Sequence, residues 1–151
     1  MKITCSRTIN APTDKVWGIM TDLEGFPDAI SGIDGVERLD DGTGFSVGTR
    51  WRETRTLFGR TATEDMWVTE LEPGHSYVVE ASSHGTEYRT TQRVEPGAEG
   101  GSVLVMSFSG HPTGAMAKVM SATIGRFFEK ATRAAFEQDL ADIATAAEAS
   151  G

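Results

Sequence analysis

Glu53, Arg55 and Glu64 are the side chains whose types and spacing promise chemistry. They sit in two extended runs, Thr49 to Leu57 and Thr61 to Leu71, separated by Phe58-Gly59. If Phe58-Gly59 forms a two-residue turn, Leu57 pairs with Arg60. The ladder then sets Arg55 opposite Ala62, Glu53 opposite Glu64 and Trp51 opposite Met66, all on one face. Trp51, Met66 and Val68 mark that face as the inner one, which carries the three charged residues toward any pocket the sheet encloses. There the guanidinium favours ionised acids, while repulsion between facing carboxylates raises the pKa of one of them. Such a cluster could polarise a ligand carbonyl through Arg55 while an acid takes and returns a proton during enolisation and dehydration. The competing reading leaves these charges in solvent at the open end of the hairpin, where pairs contribute at most about 1 kcal/mol. A register slip of one residue would turn Asp65 and Trp67 inward in place of Glu64 and Met66.

The next runs extend the same face. Tyr77, Val79 and Ala81 alternate along one side of Ser76 to Ser83. Tyr88, Thr90, Gln92 and Val94 do so along Thr86 to Glu95, with Arg89 and Arg93 opposite. Tyr88, Thr90 and Gln92 are candidate hydrogen-bonding groups for a ligand, although a buried tyrosine needs a partner for its hydroxyl in any case. On Ser102 to Ser109 the apolar side is Leu104, Met106 and Phe108, of which Met106 and Phe108 are assigned to the pocket. Met116, Met120, Ile124 and Phe127 form a polarisable helix face that suits variable apolar ligands and equally suits ordinary packing.

Other chemistry is not signalled. His75, His84 and His111 lie beside turns with no metal-ligand spacing. Cys5 is on the apolar side of its strand and reads as a packed thiol. The glycines at 42, 44, 97, 100 and 101 lie between strands instead of leading from a strand into a helix, so no nucleotide cofactor is indicated. Arg50, Arg52, Arg55 and Arg60 make the only local basic cluster, read as a solvated sheet face or a weak attractor of anions.

These residues must be positioned by a chain of 151 residues with a net charge of −8. That length suits one domain, 1–151. The negative field disfavours nucleic acid and anionic membrane surfaces, and no apolar run approaches the ~20 residues of a membrane helix. A lone cysteine and an N-terminus without an apolar leader suggest the cytoplasm. Lys2 to Ile9 alternates as a half-buried strand. Pro12 and Asp14 open a short helix that ends near Asp22, and Leu23 to Ile30 forms a second short helix or turn. Six extended runs follow, Ile33 to Leu39, Thr49 to Leu57, Thr61 to Leu71, Ser76 to Ser83, Thr86 to Glu95 and Ser102 to Ser109. From about Thr113 to Ala147 apolar residues recur every three or four positions, a helix on the order of 50 Å long with Gly125 as a bend or a tolerated glycine. The class is α+β: a seven-stranded curved antiparallel sheet, two short helices after its first strand, and one long helix that cannot fill the sheet's hollow.

The element order resembles the START-related helix-grip superfamily, and within it the bacterial polyketide cyclase/dehydrase-like branch. The resemblance rests on Ile9-Asn10-Ala11-Pro12 before Val16-Trp17, on Val47-Gly48-Thr49-Arg50-Trp51, on Val68-Thr69-Glu70-Leu71-Glu72-Pro73-Gly74, and on Asp139-Leu140-Ala141-Asp142-Ile143 through Glu148. It implies a cavity, gated by Phe26 and Ile30, and a spread of roles from lipid and hormone binding to polyketide aromatisation. The expectation is a cofactor-free protein, monomer or weak homodimer, that holds a small apolar or aromatic ligand between sheet and terminal helix. The alternatives are an aromatase/cyclase using Arg55, Glu53 or Tyr88 in the same cavity, and an interaction module whose core is filled.

Overall fold

Alternation of apolar and polar side chains turns the chain into seven antiparallel strands: β1 (Lys2–Ile9), β2 (Ile33–Arg38), β3 (Arg50–Leu57), β4 (Arg60–Glu72), β5 (Ser76–Ser83), β6 (Thr86–Pro96) and β7 (Ser102–Pro112). The computed structural model describes residues 1–57, 59–83 and 85–149, except for the side chains of 116–128. Expectations placed on Phe58, His84, Gly125, Met116, Met120, Ile124 and Phe127 therefore lie outside the described residues. Helices α1 (Thr13–Met20) and α2 (Phe26–Ala29) follow β1, joined by a turn of 3-10 helix at Leu23–Gly25. Helix α3 (Ala115–Ala149) closes the chain.

The strand order is β1-β7-β6-β5-β4-β3-β2. The β3–β4 register is the one its turn dictates: Leu57 faces Arg60, Arg55 faces Ala62, Glu53 faces Glu64 and Trp51 faces Met66. Gly59 takes φ +74°, a conformation a side chain would strain. Further along β4 the alternation breaks, because the register shifts between Val68 and Glu70. This bulge turns Leu71 toward the core in place of Glu70, which instead pairs with Arg89 on the outer face.

Most boundaries differ from the sequence reading by a residue or two, and two differences have visible causes. Strand β7 continues past Ser109 because its ladder with β6 runs on to the Thr86–Pro112 pair. The last helix begins at Ala115, not Thr113, since both the amide and the hydroxyl of Thr113 donate to the Gly85 carbonyl and hold that residue in the loop.

The core joins β1, α1 and the far end of α3. Ile3, Ile9, Val16, Met20, Leu104, Leu140 and Ile143 are buried together, each such side chain contributing about 2 kcal/mol by leaving water. Polar ties lock the second half of α3 in place. Arg133 donates to the Thr4 carbonyl at 3.2 Å, the Asn10 amide to Glu148 at 2.8 Å, and both the amide and hydroxyl of Ser31 to Asp142. No helix among the described residues is long and apolar enough to cross a membrane.

Candidate functional site

Between the inner face of the sheet and α3 lies a cavity of about 370 Å³. Its walls follow from strand alternation. Strand β3 contributes Trp51, Glu53 and Arg55, β4 contributes Glu64 and Met66, and β5 contributes Tyr77 and Val79. Strand β6 adds Tyr88, Thr90 and Gln92, and β7 adds Met106 and Phe108. Phe26 and Ile30 reach the same space from the α2 region. Val68, expected at the wall, is instead packed in the core beside the β4 bulge and does not line the cavity.

Glu53 and Arg55 are inside, and Glu64 is half-buried. Glu53 keeps 7% of its side-chain exposure and Arg55 24%. Trp51 Nε1 donates to Glu53 Oε1 at 3.3 Å, and Arg55 Nε donates to Glu53 Oε2 at 3.2 Å. The rest of the guanidinium meets a carboxylate outside the sequence reading's site set. Nη1 and Nη2 of Arg55 donate in parallel to the two oxygens of Asp139, each at 3.0 Å. Gly32 leaves room for this grip, because a Cβ there would lie 3.0 Å from Arg55 Nη1. Burial works against the charge on Arg55, but Asp139 and Glu53 outweigh it and hold the guanidinium above its ordinary pKa. Burial also pushes the Asp139 carboxyl up, against the pull of Arg55 beside it.

Asp139 carried a signal in the sequence. It stands three residues after Phe136 and four before Ile143, both of which line the cavity, so it is a carboxylate in the middle of an apolar helix stripe. Thr132 and Ala135 join the lining from the same helix.

The aromatic wall is built from two groups of rings. Tyr88 stacks on Phe108 with ring centroids 5.5 Å apart, Phe108 meets Phe136 at 5.1 Å, and Phe26 packs edge-on against Trp51 at 6.3 Å. Burial and the nearby Glu64 raise the Tyr88 phenol, keeping it a hydrogen-bond donor. Tyr77 is spoken for, since its hydroxyl donates to the Met20 carbonyl at 2.9 Å. The basic cluster divides between the faces. Arg55 is inside, whereas Arg50 lies 4.9 Å over the Trp67 ring and Arg52 pairs with Asp65 at 2.8 Å, both on the outer face. Among the described residues no group of three or more acids, histidines or cysteines could hold a metal.

A family model described as polyketide cyclase / dehydrase and lipid transport matches residues 1–148. No curated protein matches the chain. Among solved structures, the protein TTHA0849 from Thermus thermophilus aligns over 100% of this chain and 99% of its own, with a TM-score of 0.83 and 16% identity. The di-domain ARO/CYC StfQ from the steffimycin biosynthetic pathway aligns over 98% of this chain and 51% of its own, with a TM-score of 0.81 and 12% identity. A Thalictrum norcoclaurine synthase, solved in complex with a transition-state analogue, covers 96% of this chain and 94% of its own, with a TM-score of 0.70 and 17% identity. At such identities the likeness is one of fold.

Proposed function

This chain belongs to the polyketide cyclase / dehydrase and lipid transport family, and from that premise we propose that it binds one small, mainly apolar, aromatic molecule between its sheet and α3. The observation that carries this reading is the cavity of about 370 Å³. That volume falls within the size range of small-molecule sites, and its mix of aromatic walls with a few polar groups is what such sites present. The ligand-contacting set is the wall itself: Phe26, Ile30, Trp51, Glu64, Met66, Tyr77, Val79, Thr90, Gln92, Met106 and Phe108. The reading calls for no cofactor, nucleic acid or membrane, and it keeps the cytoplasmic setting expected from the lone cysteine.

The test fills the space. Met106→Trp replaces a wall residue remote from the Arg55 network with a larger ring. Binding of neutral aromatic compounds, followed by calorimetry, is expected at a one-to-one ratio for the parent chain and to be lost in the variant while its circular dichroism is unchanged. Equal binding by both chains would sink the proposal.

The cyclase reading is favoured by a separate observation, the presence of a phenol, Tyr88, and a carboxylate, Glu64, in the same wall. On this reading Tyr88 gives a proton to a departing hydroxyl, which leaves as water, while the Glu64 carboxylate takes the proton from the neighbouring carbon so that the double bond forms between the two carbons. Turnover of a synthetic polyketone, abolished by Tyr88→Phe in a folded chain, supports it. Unchanged turnover in that variant removes Tyr88 from the chemistry.

A further inference from the structure

The cavity wall has a charge pattern that narrows the ligand class, an inference that rests on the binding reading above. Among the described residues, the wall carries one guanidinium, Arg55, against three carboxylates, Glu53, Glu64 and Asp139. The cation is already committed. Its Nε goes to Glu53 at 3.2 Å, and Nη1 and Nη2 go to Asp139 at 3.0 Å each. A carboxylate or sulfonate entering the cavity would exchange its hydration for an apolar wall with excess negative charge, in a medium where like charges repel far more strongly than in water.

A second feature points to what the wall does accept. Gln92 lines the cavity, and its Oε1 atom is buried without a hydrogen-bond partner. A buried acceptor left open is unfavourable, which a ligand O–H or N–H directed at β6 would offset. Thr90 is the next residue on that face of the strand and Tyr88 the one after it, both in the wall. The stacked Tyr88–Phe108 pair supplies the flat surface beside it.

We propose that the cavity selects uncharged or cationic aromatic molecules that carry a hydrogen-bond donor, such as phenols and arylamines, with Gln92 as the acceptor, and that it rejects organic acids.

The test pairs probes that differ in one group, titrated by fluorescence into the full chain. N-phenylnaphthylamine is expected to bind about tenfold more tightly than its sulfonated counterpart, anilinonaphthalene sulfonate. The gap narrows in Glu64→Gln. As a competitor of the neutral dye, β-naphthol is expected to bind roughly fivefold more tightly than naphthalene, the value of one net hydrogen bond. Gln92→Leu erases that preference. Sulfonate binding equal to or tighter than that of the neutral dye, or naphthalene matching naphthol, overturns the proposal while leaving the binding reading in place. If none of the four probes binds, both fall together. Should Gln92→Leu fail to fold, the parent chain's paired affinities and Glu64→Gln decide the matter.

Discussion

Arg55 on β3 and Asp139 on α3, 84 residues apart in sequence, face each other through two parallel hydrogen bonds of 3.0 Å. This pair fastens the last helix to the hairpin that forms much of the cavity wall. Removing Arg55 leaves the Asp139 and Glu53 carboxylates buried without their cation, which costs about 3 kcal/mol or more. Arg55→Met is therefore expected to lower the urea midpoint strongly. The triple change Glu53→Gln, Arg55→Met, Asp139→Leu is expected to recover most of the loss, because no uncompensated charge remains. A loss in Arg55→Met small enough for an exposed pair would contradict this account.

A pH-dependent tie holds the loop after α2 to α3. Burial opposes the charge on Asp142, but the hydroxyl and amide of Ser31 and the amide of Gln138 outweigh it and hold the carboxyl below its ordinary range. A depressed acid stabilises the fold above its unfolded pKa, near 4, and loses that contribution as pH falls through the folded value. Ser31→Ala is expected to cost about 1 kcal/mol at neutral pH. The difference from the parent should shrink in acid, as read from unfolding curves at several pH values. A difference that stays constant with pH contradicts the tie.

Cys5 is buried, and burial raises its thiol pKa in spite of Arg133 Nη1 at 3.9 Å from Sγ. With little thiolate formed, the folded chain should react with iodoacetamide at pH 8 far more slowly than the urea-unfolded chain. Labelling at the same rate in both states would show that the thiol is neither shielded nor shifted.

The two tyrosines differ sharply. Burial, aided by the Glu53 charge, drives the Tyr77 phenol well above its ordinary value, and its hydroxyl is held by the Met20 carbonyl. In an alkaline titration followed by ultraviolet absorbance, Tyr77 should ionise only when the chain unfolds. Tyr77→Phe is expected to cost about 1 kcal/mol by leaving that carbonyl without its donor. Full ionisation of both phenols in the folded chain would rule out this environment.

The strands were legible because their information is local. Once Leu57 is paired with Arg60, every inward side chain on β3 and the first half of β4 follows. The bulge after Val68 was not legible, since it depends on how β4 meets β5, and it is why the alternation that would have turned Glu70 inward brings Leu71 to the core instead. Asp139 was missed for a related reason. Helical spacing shows which residues share a stripe, but the rotation of α3 that brings this carboxylate to Arg55 is fixed by packing against β1, β7 and α1.

The sheet order has a consequence for synthesis. Strands β1 and β2 are neighbours in the chain yet occupy opposite edges, and among the described residues β1 pairs with β7, which ends at Pro112. On the ribosome, β1 must therefore wait, its edge unpaired, until β7 has also been made. Pairings this distant in sequence are slow to form and leave strand edges exposed meanwhile. The polar residues that alternate along Lys2–Ile9 would serve to keep that waiting edge from sticking to other chains.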